Sequence, residues 1–271
     1  MPALGQVVGR GDAHDTGADD DSFHAAKITY RHTLVRKGVG MPDFTQSPKD
    51  LDPPTVVDHV LLPVADLEEG ARTLRERHGL QAIPGGRHPK LGTANMIVPL
   101  GRQYLELIAI ADPLEAAASR LGKRLTQALD EGRTFVDWAL RTRSIDALRV
   151  KLLSADWDLP PVWEGSRRRP DGQILQWRTQ DVEAGKARIA LPFVIEWDVP
   201  DGLHPGEAAA RHPNGATGLR RVVVGARDPI GVRKSLELLL GDSDLYQVRE
   251  AALDGVEELV LDSPHGDLVI A

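Results

Sequence analysis

The chain carries nine histidines and no cysteine. Thiol nucleophiles, disulfides and thiolate zinc sites are therefore excluded, and chemistry falls to imidazoles, carboxylates, hydroxyls or a metal held by nitrogen and oxygen. His59 stands between Asp58 and Val60 in the otherwise apolar run VVDHVLLPV. An imidazole there is either a core residue satisfied by a hydrogen bond or a ligand or base facing a cavity. Glu106 and Glu196 occupy two further apolar runs, YLELI and VIEWD, which superpose without a gap. Asp137 and Trp138 open a third, DWALRT. The densest polar and glycine cluster is GGRHPKLGTAN, where Arg87, His88, Thr93 and Asn95 form either a cavity mouth for an anionic or carbonyl group or a plain turn. Its glycines are no nucleotide fingerprint, because no helix opens after a strand there. His204 and His212, each followed by proline, read as a lid or as surface loop residues, and Arg167 to Arg169 as a solvated turn or, alternatively, a contact for an anion or CoA.

The elements that must position these residues repeat along the chain. VVDHVLLPV reads as a buried strand and Asp66 as the N-cap of a helix ending at Gly79. TANMIVPL and QYLELIAI are strands joined at Gly101-Arg102, and only a short strand is expected near Ala82 and Ile83. After a helical connector over 112–134, TFVDWALRT restarts the pattern, with Ser144 as the next N-cap and strands at PVW, ILQWRTQDV and LPFVIEWDV. A third round begins at Leu219, with Asp228 and Pro229 opening its helix and Gly241 closing it. Each round is strand, helix and three strands, and such a repeat outweighs any single motif.

The expected fold class is thus α+β, with three tandem βαβββ units. Residues 1–52 are expected to be a disordered tail and linker, because they lack apolar periodicity. Met41 is a second possible start. Residues 53–200 form a paired domain and 201–271 the third unit. With 33 basic and 40 acidic residues the net charge is −7, which argues against nucleic acid. No run approaches the roughly 18 apolar residues of a membrane span, so a cytoplasmic location with no membrane partner is expected.

Tandem βαβββ units with a His in the first strand and a Glu in the last resemble the vicinal oxygen chelate superfamily, in its glyoxalase-like domain branch. The residues that carry the resemblance are VDHVLLPVADLEEG, GGRHPKLGTANMIVPLG, YLELI, DWALRT, PFVIEWD and HPNGATGL. The resemblance implies two units whose sheets curl around a cleft, with ligands from the first and last strands of each. Carried over, it makes His59, Glu106, Glu196 and Asp137 the expected metal ligands. The second His of glyoxalases and extradiol dioxygenases is missing, since Asp137 stands opposite His59. One imidazole with several carboxylates suits Mg²⁺, Mn²⁺ or Zn²⁺ better than Fe²⁺. Without a cation, converging carboxylates would repel and raise one pKa, as a general base requires. Glu196 is the first choice for that base and His88 a second acid–base group. Arg87, Thr93, Asn95, Trp138 and His212 are the expected substrate contacts.

The function expected is a metal-dependent isomerase, lyase or epimerase acting on a small oxygenated carbonyl or hydroxy-acid compound. The alternative is a non-catalytic binding protein with the same cleft, which the tryptophans favour: all five lie in the second unit. If Glu196 points inward, alternation sends Trp197 outward; if Asp137 does, Trp138 is turned away. The odd number of units leaves one without a partner, so pairing into a homodimer is expected.

Overall fold

The computed structural model describes residues 55–182 and 190–271. The expected tail, and the choice between Met1 and Met41, lie outside the described residues. The first unit comprises β1 (Val56–Pro63), α1 (Leu67–His78), β2 (Ile83–His88), β3 (Thr93–Leu100) and β4 (Gln103–Ile110). Helices α2 (Pro113–Ala118) and α3 (Arg120–Asp130) form the connector. The second unit comprises β5 (Asp137–Arg141), α4 (Ile145–Ser154), β6 (Trp163–Arg168), β7 (Ile174–Gln180) and β8 (Phe193–Asp198). These eight strands form one sheet in the order β2-β3-β4-β1-β5-β8-β7-β6. It curls until its edges meet: a Cβ on Gly86 of β2 would lie 2.6 Å from the Arg168 carbonyl oxygen of β6.

Local sequence explains the elements. The strands read as nearly continuous apolar runs because both of their faces are covered. Asp66 caps α1 by accepting the Glu69 N–H at 2.9 Å, and Ser144 caps α4 through the Ala147 N–H. Gly79 ends α1 at φ +63°, a left-handed position that suits glycine. Helix α3 lays Leu125 and Ala128 against the inward-facing Leu61 and Ile108, which closes one end of the interior.

The third unit comprises β9 (Gly218–Ala226), α5 (Pro229–Leu240), β10 (Tyr246–Glu250), β11 (Gly255–Asp262) and β12 (Leu268–Ile270). Its element order repeats that of the first two, but its pairing does not. Here β9 lies between β10, parallel, and β11, antiparallel, giving the order β10-β9-β11-β12. Helix α5 is thus the crossover between two adjacent parallel strands, whereas in the first unit β1 pairs with β4. Nor is the third unit unpartnered. Val222, Val224, Leu236 and Leu259 share one core with Val60, Leu105, Leu140 and Leu152. Thr55 Oγ1 donates to the Leu239 carbonyl at 2.8 Å and Lys151 Nζ to the Leu238 carbonyl at 2.7 Å. A bare sheet face was the reason to expect pairing with a second copy, and that face is filled from within the chain.

Candidate functional site

The curled sheet encloses a cavity of about 430 Å³. A β-bulge starts the site. Along the β1–β5 ladder Val57 pairs with Leu140 and His59 with Ala139, which leaves Asp58 as the extra residue. A regular strand would send Asp58 and His59 to opposite faces; the bulge brings them together. Asp58 Oδ1 lies 2.7 Å from His59 Nδ1 and accepts from Trp197 Nε1 at 3.3 Å. Its Oδ2 meets Arg141 Nη1 at 3.1 Å and His204 Nε2 at 3.0 Å. Burial works to raise the Asp58 pKa, but hydrogen bonds from His204 and His59 outweigh it and hold the carboxyl well below the ordinary range. Asp58 therefore accepts, His59 Nδ1 carries a proton, and His59 Nε2 is left to face the cavity. There it lies 3.4 Å from Glu106 Oε2, and the ring stacks on Tyr104 with centroids 4.4 Å apart.

Glu106, on β4, is the second centre. Asn95 Nδ2 donates to its Oε1 at 2.6 Å, and His88 Nε2 lies 3.8 Å from the same oxygen. His88 Nδ1 meets Thr93 Oγ1 at 2.9 Å. Burial pushes the His88 pKa down to about 4, against the pull of Glu106 and with help from Arg167 and His59, so the ring is neutral at pH 7. Burial also pushes the Tyr104 phenol well above its usual value. One buried atom among the described residues is orphaned: Asn95 Oδ1 has no hydrogen-bond partner.

The remaining expected residues divide between wall, core and surface. Asp137 faces the cavity, where Arg124 Nη1 engages its Oδ2 at 2.9 Å and the Trp138 N–H its Oδ1 at 2.9 Å. Burial raises its pKa, with Arg124 opposing. Trp138 alternates away into the core and donates Nε1–H to the Ala190 carbonyl at 3.1 Å, so it is no substrate contact. Glu196 is corrected most sharply. Matching the N-caps Asp66 and Ser144 sets His59 opposite Asp137 and Leu61 opposite Ala139. Leu61 pairs with Glu106, and Ala139 pairs with Phe193. Phe193 therefore stands where Glu106 does, and Glu196 lies an odd number of residues further along, on the outer face. There it accepts the Ile145 N–H at 2.7 Å and lies 3.5 Å from Arg178, as an anionic partner for the α4 N-terminus. Trp197 points inward instead, 5.4 Å from Trp177.

Arg87 also faces out, donating to the Ala111 carbonyl at 3.2 Å, and His212 pins a loop between the Gln81 N–H and the Pro99 carbonyl. Neither lines the cavity. His88 lies within a full strand, because β2 runs through Gly85-Gly86 where only a short strand was expected. Sequence reasoning passed over Asp58, Tyr104, Trp177 and Phe193, and left His204 between lid and surface loop. Arg167 was read as part of a solvated turn, yet it is buried; the spacing of Trp163, Gly165 and Arg167 was the signal, since residues two apart share a strand face.

This donor set does not fit a divalent ion of the expected kind. The second unit offers Phe193 in place of a carboxylate, Asp137 is engaged by Arg124, and Glu196 faces away. Among the described residues no group of three or more His, Asp or Glu side chains is arranged to hold a metal ion.

The sequence pattern of the glyoxalase-like domain family matches residues 57–240. The chain belongs to the glyoxalase-like domain family. This is the branch of the vicinal oxygen chelate superfamily that its sequence resembles. Among solved structures, this glyoxalase-like chain is similar to a hypothetical protein from Staphylococcus aureus. They share 17% identity at a TM-score of 0.59, over 73% of this chain and 87% of that one. A methylmalonyl-CoA epimerase from Streptomyces coelicolor overlaps at 16% identity and a TM-score of 0.41, over 54% of this chain and 96% of that one. One from Mycobacterium tuberculosis overlaps at 19% identity and 0.39, over 53% and 88%. No curated protein matches the chain. No described helix of this glyoxalase-like protein is long and apolar enough to cross a membrane.

Proposed function

We propose that the chain is an acid–base enzyme of the vicinal oxygen chelate type. It catalyses an isomerase, lyase or epimerase step on a small oxygenated carbonyl or hydroxy-acid compound. One observation carries this reading: the buried line Asp58–His59–Glu106. Asp58 fixes the His59 ring at 2.7 Å, and His59 Nε2 and Glu106 Oε2 face one another at 3.4 Å on the cavity wall. Two groups that accept protons at this separation can hold one labile proton between them and pass it to and from a carbon acid above. His88, neutral and 3.8 Å from Glu106, is a second proton acceptor at the same carboxylate. The metal-dependent form of this reading finds no support in the donors, and no step here uses a metal.

A second reading, ligand binding without turnover, is favoured by the aromatic wall of Trp163, Trp177 and Phe193. Deuterium incorporation from D₂O separates the two. Across a panel of 2-hydroxy acids, 2-oxo acids and hydroxyketones, the enzyme should exchange a carbon-bound hydrogen in at least one compound. His59→Gln and Glu106→Gln should each abolish the exchange. Binding without exchange across the panel refutes catalysis. A stoichiometric divalent ion that His59→Ala removes refutes the metal-free form.

A further inference from the structure

We infer that the cavity binds a monocarboxylate and that Arg167 is its anchor. This rests on the reading of the cavity as a substrate site and names the substrate class. Arg167 lies on β6 with only 4% of its surface exposed, and it lines the cavity. Among the described residues its guanidinium makes no hydrogen bond or ion pair. The other cavity arginines are engaged: Arg124 with Asp137 at 2.9 Å, and Arg120 with Asp181. Burial disfavours the charged form of Arg167, as expected for a cation without a contact anion. A buried charge is retained where something pairs with it. Within the described fold Glu106 acts on it only through space, and the side chain faces an open cavity, where a contact anion can reach it from outside.

The charge balance sets the class. Asp58 is matched by Arg141 and His204, and Asp137 by Arg124. Arg167, Glu106 and the exposed Lys90 remain, two cations and one carboxylate, and Glu106 acts on Arg167 through space. Two cations against one carboxylate leave one positive charge unbalanced, which a monoanion closes and a phosphate dianion exceeds. The forked N–H groups match a carboxylate. Leu61, Trp177, Phe193 and Ile195 supply apolar walls for an aromatic or aliphatic body.

The test uses phenylacetate, its neutral analogue phenylacetamide and the dianion phenyl phosphate. Affinities are read from tryptophan fluorescence and calorimetry on the full chain. Phenylacetate should bind at least about tenfold more tightly than phenylacetamide. Arg167→Met should bring that ratio close to one, and Arg167→Lys should restore part of it. Without ligand, Arg167→Met should melt no lower than the parent, because it removes an unpaired buried charge and keeps the packing. An acid-to-amide ratio near one in the parent overturns the proposal. So does a ratio that survives in Arg167→Met, a preference for phenyl phosphate, no binding of any probe, or a lower melting temperature in Arg167→Met. Glu106→Gln keeps the two readings apart. It should lose hydrogen exchange yet keep the carboxylate preference. Preference without exchange sinks only the proposed catalysis; exchange without preference sinks only the anchor.

Discussion

His88 gives the chain an acid limb that can be calculated. Its ring is buried on β2, and burial lowers its pKa from 6.5 to about 4. The unfolded chain therefore binds a proton below about pH 6.5 that the folded chain refuses until about pH 4. Stability contributed by the neutral ring is complete above 6.5, falls with pH through that window, and levels off below 4. The slope reaches about 1.4 kcal/mol per pH unit, and the whole shift amounts to about 3 kcal/mol. His88→Gln removes the titration. Urea unfolding of both proteins between pH 8 and pH 4 should show a constant gap above 6.5, which then closes or reverses by about that amount. Asp58 acts lower, because its depressed pKa releases stability only below the ordinary carboxylate range, and Asp137 contributes equally to both proteins. Parallel curves from pH 6.5 to pH 4 would mean that His88 is protonated in the fold, and the reasoning fails.

Glu196→Ala should cost about 1 kcal/mol of stability, by freeing the Ile145 N–H at the α4 N-terminus, and leave phenylacetate affinity unchanged; weakened binding would return Glu196 to the cavity. Asp58→Asn should cost roughly 3–5 kcal/mol by chemical denaturation, because Arg141 and His204 lose a buried counterion. Gly165→Ala places a Cβ 2.4 Å from the Trp177 ring, so fluorescence should shift and stability fall by about 1–3 kcal/mol; an unchanged spectrum would show that the ring has room to move.

Much of the architecture was legible in the sequence because hydrophobic period and helix caps are local signals. Asp66, Ser144 and Asp228 each cap the helix they were expected to cap. Inward or outward direction was legible only where register was unambiguous. Alternation correctly tied Asp137 to the reverse orientation of Trp138. It failed at Glu196, because YLELI and VIEWD match as strings while their strands pair with β1 and β5 in a different frame. The bulge at Asp58 is invisible to any strict period, so its carboxylate was taken for a flanking residue. β2 was hidden by Gly85 and Gly86, which usually weaken a strand; here Asn95 Oδ1 and the Arg168 backbone sit where their side chains would be. The third unit repeats the element order and not the pairing, a distinction carried by long-range contacts alone.

The two halves of the barrel hold equivalent positions with unlike residues: His59 and Glu106 in one, Asp137 and Phe193 in the other. On the proposed acid–base reading, the proton-handling pair and the apolar walls are thereby carried by separate stretches of chain. Exchanging Trp163, Trp177, Phe193 or Ile195 remoulds what can enter and leaves the His59–Glu106 pair in place. A library confined to those four positions is thus the economical route to new substrates, and natural divergence has the same route open to it.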